Sequence, residues 1–585
     1  MTPYLALAVS LVTMQQQQSV PDSTRLHRLI AQNWEYTMRE YPEFATAVGY
    51  PGQNSRWTDI SLEAIARRKR ELNGPLTALR GIDRSRLSAA DQLNYDLFRR
   101  NLTDAIDESR FPGELMPMTQ MDGIQQNVPS TIAQMPAATI RDYEDIVSRL
   151  RAVPVLVNQT IVLMERGLAA GLTPPRITLR DVPGQALNLV VEDPLTSPML
   201  AAFTRFPPEV AAADQQRLRT AAVAAYRDSV APVFRRLHRF LTDTYLPGAR
   251  TTVGIRDLPN GTAWYQVRAR ASTTTDLTPE RIHQLGLAEV KRIRAQMDSV
   301  IAASGFRGTF AEFVQFLRTD PRFYFTNADD LLRASRDLMK RIDPELVRLF
   351  GTLPRLPYGV APIPSYAERS QTTAYYQPGS PIGHRAGTYY VNTYNLPARP
   401  RWEMEALSVH EAVPGHHLQI ALAQELDEVP EFRRFGGYTA FVEGWALYSE
   451  SLGGELGLYK DPYSKFGQLT YEMWRAVRLV IDTGIHTMGW TREQAIEYFK
   501  ANAAKTEHDI TVEIDRYIVW PGQALAYKIG ELKIKELRAY AATTLGDRFD
   551  VRAFHDQVLG AGAVPLDVLE ARIRAWVAAA GVQGR

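Results

Sequence analysis

Cysteine is absent from the 585-residue sequence, and its absence removes several kinds of chemistry. Disulfide bonds, thiolate nucleophiles and cysteine-ligated zinc are excluded, so any metal ion has to be held by histidine and carboxylate side chains. Histidine itself is scarce, with 10 residues in the whole chain. A cluster of histidines is therefore informative wherever it occurs.

A strong net charge and a long apolar run are also missing. The 67 basic and 65 acidic residues leave a formal net charge of +2, and no run of Lys and Arg is long enough to follow a phosphate backbone. We therefore expect no nucleic acid partner. Beyond the N-terminus there is no stretch of about 18 uninterrupted apolar residues, the length that crosses a bilayer, so no membrane-spanning helix is predicted.

The N-terminus contains an apolar run from Tyr4 to Val12, followed by a glutamine tract. Such a run is typical of an export signal, although no Lys or Arg precedes it and no small-residue cleavage pattern lies before Pro21. Residues 1–22 are predicted to be an export segment or a disordered N-terminus. We expect a periplasmic or secreted protein rather than a cytoplasmic one.

Most of the chain predicts helices, because apolar residues recur at helical spacing, as between Leu26 and Met38. With 45% hydrophobic residues the chain can bury a large core. Residues 23–585 are predicted to form a single, mainly α domain. Its helical N-terminal half covers residues 23–350, and its catalytic half covers residues 351–585.

A β-hairpin is predicted in the proline-rich region before residue 400. The runs TTAYYQ (372–377) and GTYYVNTYNL (387–396) are rich in Thr, Tyr and Val and are separated by turn-forming residues. The hairpin directly precedes a histidine-rich segment. Its edge could pair with a peptide backbone by strand addition, so we expect Tyr390 and Asn392 to contact a substrate.

Three of the 10 histidines lie within eight positions, in the segment HEAVPGHHLQ (410–419). A zinc hydrolase needs two neutral imidazoles, a third protein ligand, an open coordination position and a carboxylate that can accept a proton from water. A helix predicted over residues 402–412 presents His410 and then Glu411. These two residues are the expected first ligand and general base.

Pro414 stands where an HExxH motif has its second histidine. It cannot donate to the His410 carbonyl, and Gly415 permits unusual backbone angles, so the helix has to kink or bulge here. A two-residue expansion would make His416 the second ligand. His417 is the alternative, because seven residues make almost two helical turns. The histidine that does not bind the metal is expected to donate a hydrogen bond to the substrate or transition state.

The third ligand is predicted in the apolar segment TAFVEGWALYSE (439–450). Glu443 lies there among apolar residues, and an unpaired carboxylate in such surroundings costs several kcal/mol. Glu450 could share its helix face and orient a histidine ligand. The alternative for the whole pattern is a polar helix surface that binds no metal.

Further candidates lie downstream. Glu472, Arg475, Arg478, Asp482 and His486 form a polar stripe at helical spacing. Within it, Asp482 could hydrogen-bond with Arg478 or with His486. This stripe is either a buried network that braces the site or, at His486, a substrate contact.

The segment DRYIVWPGQALAYKIG (515–530) contains a second helix break at a Pro-Gly pair. Tyr527 or Tyr517 could donate to a developing oxyanion, and Arg516 could bind a substrate carboxylate. Aromatic residues at helical spacing also occur in ordinary cores.

Several motifs together resemble the bacterial domain-of-unknown-function family 885, which is grouped with gluzincin-type zinc metallopeptidases. They are HEAVPGHHLQ, EGWALYSE, EMWRAVRLVIDTGIHTMGW and RYIVWPGQALAYKIGE, and the similarity extends from about residue 26 to about residue 575. The resemblance implies a mainly α body that encloses a deep cleft, with a small sheet next to the zinc-binding helix. It also implies one Zn²⁺ held by His410, by His416 or His417, and by Glu443, with Glu411 as general base.

We therefore predict a zinc-dependent peptidase that acts on short peptides. Two histidines and one carboxylate also suit non-haem iron, so a different metalloenzyme is one alternative. A catalytically inert binding protein is another. The sequence leaves the oligomeric state, the cleavage specificity and the choice between endopeptidase and exopeptidase open.

Overall fold

The fold is given by a computed structural model that describes residues 20–364, 368 and 372–582. Helices account for 69% of the chain and strands for 3%, which confirms the predicted mainly α class. The predicted export segment lies almost entirely outside the described residues.

The first 16 α-helices fill the chain up to residue 342, joined by turns and short 3₁₀ helices. They are α1 (Asp22–Glu40), α2 (Pro42–Val48), α3 (Leu62–Glu71), α4 (Asn73–Arg80), α5 (Ala89–Glu108), α6 (Ile124–Gln134), α7 (Ile140–Ala169), α8 (Arg176–Leu179), α9 (Val182–Leu187), α10 (Ala212–Ala225), α11 (Ala231–Phe240), α12 (Leu246–Gly248), α13 (Gly261–Thr273), α14 (Pro279–Ala303), α15 (Phe310–Thr319) and α16 (Ala328–Ile342). Two π-helical turns, Tyr226–Val230 and Leu241–Tyr245, lie within the run from α10 to α12.

Three strands and the remaining helices follow. They are β1 (Tyr358–Pro362), β2 (Ala374–Gln377), β3 (Gly387–Val391), α17 (Arg401–Glu411), α18 (His416–Gln424), α19 (Glu431–Arg434), α20 (Thr439–Leu452), α21 (Pro462–Thr487), α22 (Arg492–Asn502), α23 (Glu507–Val519), α24 (Ala526–Leu545), α25 (Val551–Leu559) and α26 (Leu566–Val582).

The sheet contains the predicted hairpin and one strand that the sequence did not indicate. β2 and β3 pair antiparallel, as expected, and β1 pairs parallel to β3 on its other side. β3 is therefore the central strand, and Tyr390 pairs with Tyr375 on one side and Ala361 on the other. The backbone hydrogen bonds of β3 are used within the sheet. Its predicted role of aligning a substrate backbone around Tyr390 does not fit this position.

One hydrophobic core joins the two predicted halves of the chain. A single buried cluster contains residues from Leu97 in α5 to Val577 in α26. Helix α14 of the N-terminal half packs along α21 of the C-terminal half. α20 and α24 cross where Gly444 meets Gly530, and a Cβ atom on Gly444 would lie 2.5 Å from the Gly530 Cα. This crossing sets the spacing of two helices that carry site residues.

Helix α7 is the one element in the described part of the chain that is long and apolar enough to cross a membrane. Half of its most apolar stretch is buried inside the molecule. Length and composition alone also fit a core helix. The expected absence of a membrane span therefore stays a prediction.

Candidate metal centre

The HEAVPGHH segment is divided between two helices. α17 ends at Glu411 and α18 begins at His416, so the chain leaves helical geometry around Pro414, as predicted. The Gly415 amide donates to the Val409 carbonyl at 3.0 Å. This bond spans two residues more than the bond of a regular α-helix. The break is thus the two-residue expansion inferred from the sequence.

Helix α20 holds the break in place. The peptide bond before Pro414 is cis. The Pro414 carbonyl accepts hydrogen bonds from the Trp445 indole at 2.8 Å and the Ser449 hydroxyl at 3.4 Å. A Cβ atom at Gly415 would lie 2.0 Å from the His410 carbonyl oxygen. Glycine is therefore required at this position.

His410, His416 and Glu443 converge at this break. One potential ligand atom from each lies within 4.8 Å of the other two. Glu443 Oε2 is 3.7 Å from His410 Nε2 and 3.4 Å from His416 Nε2. This oxygen is buried and has no hydrogen-bond partner among the described residues. A buried carboxylate oxygen without a partner is costly, and a bound cation would satisfy it.

Glu450 orients the first histidine, as the sequence suggested. Its Oε1 lies 2.8 Å from His410 Nδ1, and its side chain is fully buried. An Nδ1 proton donated to Glu450 leaves the Nε2 lone pair of His410 facing Glu443. Arg475 Nη2 lies 3.3 Å from the same Glu450 oxygen. The second layer around His410 therefore contains a carboxylate and a guanidinium.

The charges within the cluster stabilise one another. Burial opposes protonation of His410, but the neighbouring carboxylates of Glu443 and Glu450 outweigh it and raise the pKa of His410 to about 9. Burial also opposes ionisation of Glu443, yet the positive charge of the neighbouring histidines holds the pKa of this carboxyl well below its usual value. A metal ion binds neutral imidazole, so metal binding at His410 would release a proton.

Glu411 follows the first histidine at the end of α17. Its side chain is half-buried, and its carboxylate takes part in none of the hydrogen bonds or ion pairs formed among the described residues. Burial, with a contribution from the Glu411 charge, raises the pKa of the nearby Tyr389 phenol. The Glu411 carboxylate is thus unpaired within the described part of the chain, one residue after His410.

His417 turns away from the cluster. Its Nδ1 lies 2.8 Å from the Tyr376 hydroxyl, and its ring packs on Tyr358 at 4.5 Å between centroids. The side chain is 1% exposed, and burial lowers its pKa to about 4. His416 therefore joins the cluster and His417 packs against the sheet. The predicted role of His417 as a donor to the substrate does not fit this position.

Arg516, Tyr517 and Tyr527 meet around the second helix break. Arg516 Nη2 donates to the Tyr527 hydroxyl at 2.9 Å. The Tyr517 hydroxyl accepts from Arg478 Nε at 3.0 Å and from the Trp474 indole at 3.1 Å. Burial and the charge of Glu513, despite the opposing charge of Arg478, raise the pKa of Tyr517. Tyr517 is fully buried, so its position fits a brace rather than the predicted substrate contact.

His486 is also a brace. Its Nδ1 accepts from the Ile255 amide at 3.1 Å, and its Nε2 donates to the Tyr517 carbonyl at 2.9 Å. Burial lowers its pKa to about 3, and its side chain has no exposed surface. The predicted substrate contact at His486 does not fit these bonds.

Asn392 and Tyr390 likewise do not face the cluster. The fully buried Asn392 amide donates to the Glu368 carbonyl at 2.8 Å and the Thr372 carbonyl at 3.0 Å. The Tyr390 ring stacks on Tyr375 at 5.0 Å. Both residues brace the sheet and its connections.

Sequence reasoning paired the stripe on α21 differently from the structure. Asp482 accepts from the Tyr265 hydroxyl at 2.5 Å and from the Gly522 amide at 3.1 Å, instead of pairing with Arg478 or His486. The contact of Arg475 with Glu450 was also missed. These partners lie outside α21. The spacing of residues along α21 therefore cannot predict which of them pair with it.

A family model described as "Bacterial protein of unknown function (DUF885)" matches residues 42–573. The chain belongs to this family. The match includes every residue of the candidate metal centre. No curated protein matches the chain.

Two solved structures share the fold. A "putative lipoprotein" from Colwellia psychrerythraea is 29% identical with a TM-score of 0.90, over 96% of this chain and 100% of that one. A "putative lipoprotein of unknown function" from Shewanella oneidensis is 16% identical with a TM-score of 0.70, over 94% of this chain and 99% of that one. The second likeness concerns the fold alone.

Proposed function

We propose that this protein is a zinc-dependent peptidase. The observation that carries the proposal is the convergence of two imidazole Nε2 atoms on the buried, unpartnered Oε2 of Glu443. With no cysteine in the chain, two histidines and one carboxylate are a donor set that catalytic zinc sites use. A general base directly follows the first histidine in the sequence.

The donor set fits the ion in chemistry as well as in position. Glu450 engages Nδ1 of His410, which directs the Nε2 lone pair towards Glu443. The three ligands come from α17, α18 and α20, and α20 also holds the break between the first two. A set of three protein ligands leaves a coordination position for water or substrate.

Zn²⁺ bound to these residues would supply Lewis-acid activation of water and of the scissile carbonyl. Glu411 accepts the proton of the attacking water and returns it to the nitrogen of the leaving amine. Glu450 keeps the His410 ring in one orientation throughout. The protein's own residues therefore hold the metal, remove the proton and deliver it again.

The outer edge of β2 is the part of the sheet that fits a substrate backbone. β2 pairs with β3 on one side, and its residue Tyr376 reaches His417 next to the ligand His416. Strand addition at this edge would run a peptide past the end of α17. This replaces the alignment by β3 that the sequence predicted.

Export of the protein is part of the proposal. The apolar run from Tyr4 to Val12 is typical of an export signal. The neighbour from Colwellia psychrerythraea is described as a "putative lipoprotein", and lipoproteins are exported proteins. Peptides outside the cytoplasm are then the substrate pool.

The test combines metal analysis with cleavage of a mixed peptide library by wild type and by Glu411→Gln. We expect about one zinc per chain in both proteins, and cleavage that a chelator stops. Glu411→Gln should lose about 10²- to 10⁴-fold in rate, because a general base contributes that much. Stoichiometric iron would indicate a different metalloenzyme. A zinc-loaded wild type that cuts no peptide would refute the proposal, and undiminished turnover in the variant would refute the base.

A further inference from the structure

Three arginine side chains surround the ring of Tyr527. The Cζ atoms of Arg475, Arg478 and Arg516 lie 6.0, 4.3 and 6.0 Å from its centroid. Arg516 also donates to the Tyr527 hydroxyl at 2.9 Å. Arg475 and Arg478 come from α21, Arg516 comes from α23 and Tyr527 comes from α24. We call these four residues the arginine cluster.

The arginine cluster carries more positive than negative charge. Among the ion pairs of the described residues, Arg475 pairs with Glu450, while Arg478 and Arg516 share Glu513. Three guanidinium groups thus face two carboxylates. Like charges at this separation repel strongly where water is excluded, so one further anion would stabilise the cluster.

Each guanidinium also has a hydrogen-bond donor to spare. Nε of Arg475, Nη1 of Arg478 and Nε of Arg516 are buried and have no partner among the described residues. Arg475 is 5% exposed and Arg478 is 2% exposed. A buried donor without an acceptor lowers the stability of the folded protein by about 1–3 kcal/mol, and a charged donor lowers it by more. The pattern of spare charge and spare donors indicates an anionic ligand.

The arginine cluster adjoins the candidate metal centre. Arg475 Nη2 lies 3.3 Å from Glu450 Oε1 and 3.4 Å from His410 Nδ1. At the other end the side chain of Arg516 is 13% exposed, against 3% for Arg478. The cluster therefore extends from the layer behind a metal ligand to a residue that solvent reaches.

We propose that the arginine cluster binds a carboxylate of the substrate. This inference rests on the proposed peptidase function and adds the substrate class: peptides with a free C-terminus or an acidic side chain. Arg478 Nη1 and Arg516 Nε are spare donors from two different helices, so the two oxygens of one carboxylate can each accept a charge-assisted hydrogen bond from a different guanidinium. Because Arg475 of the cluster adjoins His410, a peptide anchored here would lie on the side of the candidate metal centre.

The test measures binding rather than cleavage. The full-length Glu411→Gln protein is equilibrated with N-acetylated hexapeptides bearing a free C-terminal carboxylate, and with the same peptides bearing a carboxamide. Half of the sequences in each pool contain Asp or Glu. Mass spectrometry of the retained peptides should show about tenfold or greater enrichment of carboxylate-bearing peptides, as expected for a charge-assisted bidentate contact.

The two pools distinguish the source of the carboxylate. Enrichment of free acids over amides whatever the sequence assigns the cluster to the C-terminus. Enrichment of Asp- and Glu-containing peptides in both pools assigns it to an acidic side chain. Equal retention of all peptides, or retention of none, overturns the inference. Because no cleavage is needed, a wild type that cuts nothing counts against the peptidase proposal alone.

Variants connect the preference to one residue. Arg516→Ala should abolish the enrichment, and Arg516→Lys, which keeps the charge but not the Nε donor, should restore part of it. Arg574 is an exposed arginine that lies far along the chain from the arginine cluster and pairs with Glu570. Arg574→Ala should therefore retain the preference. Unchanged enrichment in Arg516→Ala would overturn the assignment. Circular dichroism verifies that each variant is folded.

Discussion

Two helix breaks, each at a Pro-Gly pair, supply opposite kinds of polar group to the interior of this protein. The break at Pro414–Gly415 separates α17 from α18 and lets His410, His416 and Glu443 converge. The groups that meet there are acceptors with lone pairs. This arrangement suits a cation.

The break at Pro521–Gly522 separates α23 from α24 and lets Arg516 meet Tyr527. The groups that meet there are mainly donors with positive charge, which suit an anion. The same backbone device thus serves both purposes, and the side chains flanking it decide which ion is favoured.

The two breaks are also held differently. The Pro414 carbonyl accepts from the neutral side chains Trp445 and Ser449. The Gly522 amide donates to the carboxyl group of Asp482. The second break, unlike the first, is therefore held by a group that can titrate. The following predictions test this comparison.

The largest effect is expected at the Pro414–Gly415 break. His416→Ala removes one of the three proposed zinc ligands, so on our proposal the zinc content should fall from about one ion per chain to near zero after dialysis. Inductively coupled plasma mass spectrometry measures the zinc content. His417→Gln changes the neighbouring histidine, which bonds Tyr376 instead, and should keep its zinc. The reverse pattern would show that His417 is the ligand.

The next effect concerns Asp482 at the second break. Burial raises its pKa from 3.8 to about 7, so the folded protein keeps a proton that the unfolded chain releases. Stability is therefore lost as the pH rises from about 4 to about 7, by on the order of 4 kcal/mol. Asp482→Asn cannot titrate and should lack this part of the decline. Urea unfolding at a series of pH values measures the free energy of unfolding and its decline with pH.

Trp445→Phe is the control for this experiment, because it weakens the first break without changing an ionisable group. Its loss of stability should be the same at every pH from 4 to 8. If wild type and Asp482→Asn lose stability in parallel as the pH rises, the carboxyl group does not hold a raised pKa.

A smaller effect is expected behind the first break. Glu450→Gln weakens the hold on His410 Nδ1, and loss of such a partner lowers metal affinity by about 10- to 100-fold. Competition with a chelating dye measures the zinc dissociation constant. Glu455→Gln, which changes a partly exposed residue paired with Arg538, should leave the constant unchanged. Equal constants for wild type and Glu450→Gln would remove Glu450 from the site.

Local backbone chemistry made the first break predictable. Proline cannot donate, and Gly415 tolerates the contact with the His410 carbonyl, so the two-residue expansion followed from residue types alone. The expansion favoured His416 over His417 as the second ligand but did not decide between them. That choice depends on where α18 starts relative to α17, and that position is set by contacts with Trp445 and Ser449 on α20.

Long-range pairing explains what the sequence did not show. β1 pairs in parallel with β3. Parallel strands are not joined by a tight turn, so no turn sequence indicates that they pair. The bonds of His486 to Ile255 and Tyr517 join residues that are remote along the chain. Helical periodicity located His486 on a polar stripe but contains no information about the helices that pack against it.

The crossing of α20 and α24 couples the two breaks mechanically. Gly444 follows Glu443 directly, and its close contact with Gly530 leaves no space for even a methyl group. The helix that carries Glu443 and the helix that carries Tyr527 are thus held at one fixed separation. The spacing between the two breaks is therefore fixed by backbone contact. A small side chain at either glycine would increase the distance between the two helices without touching a reacting group.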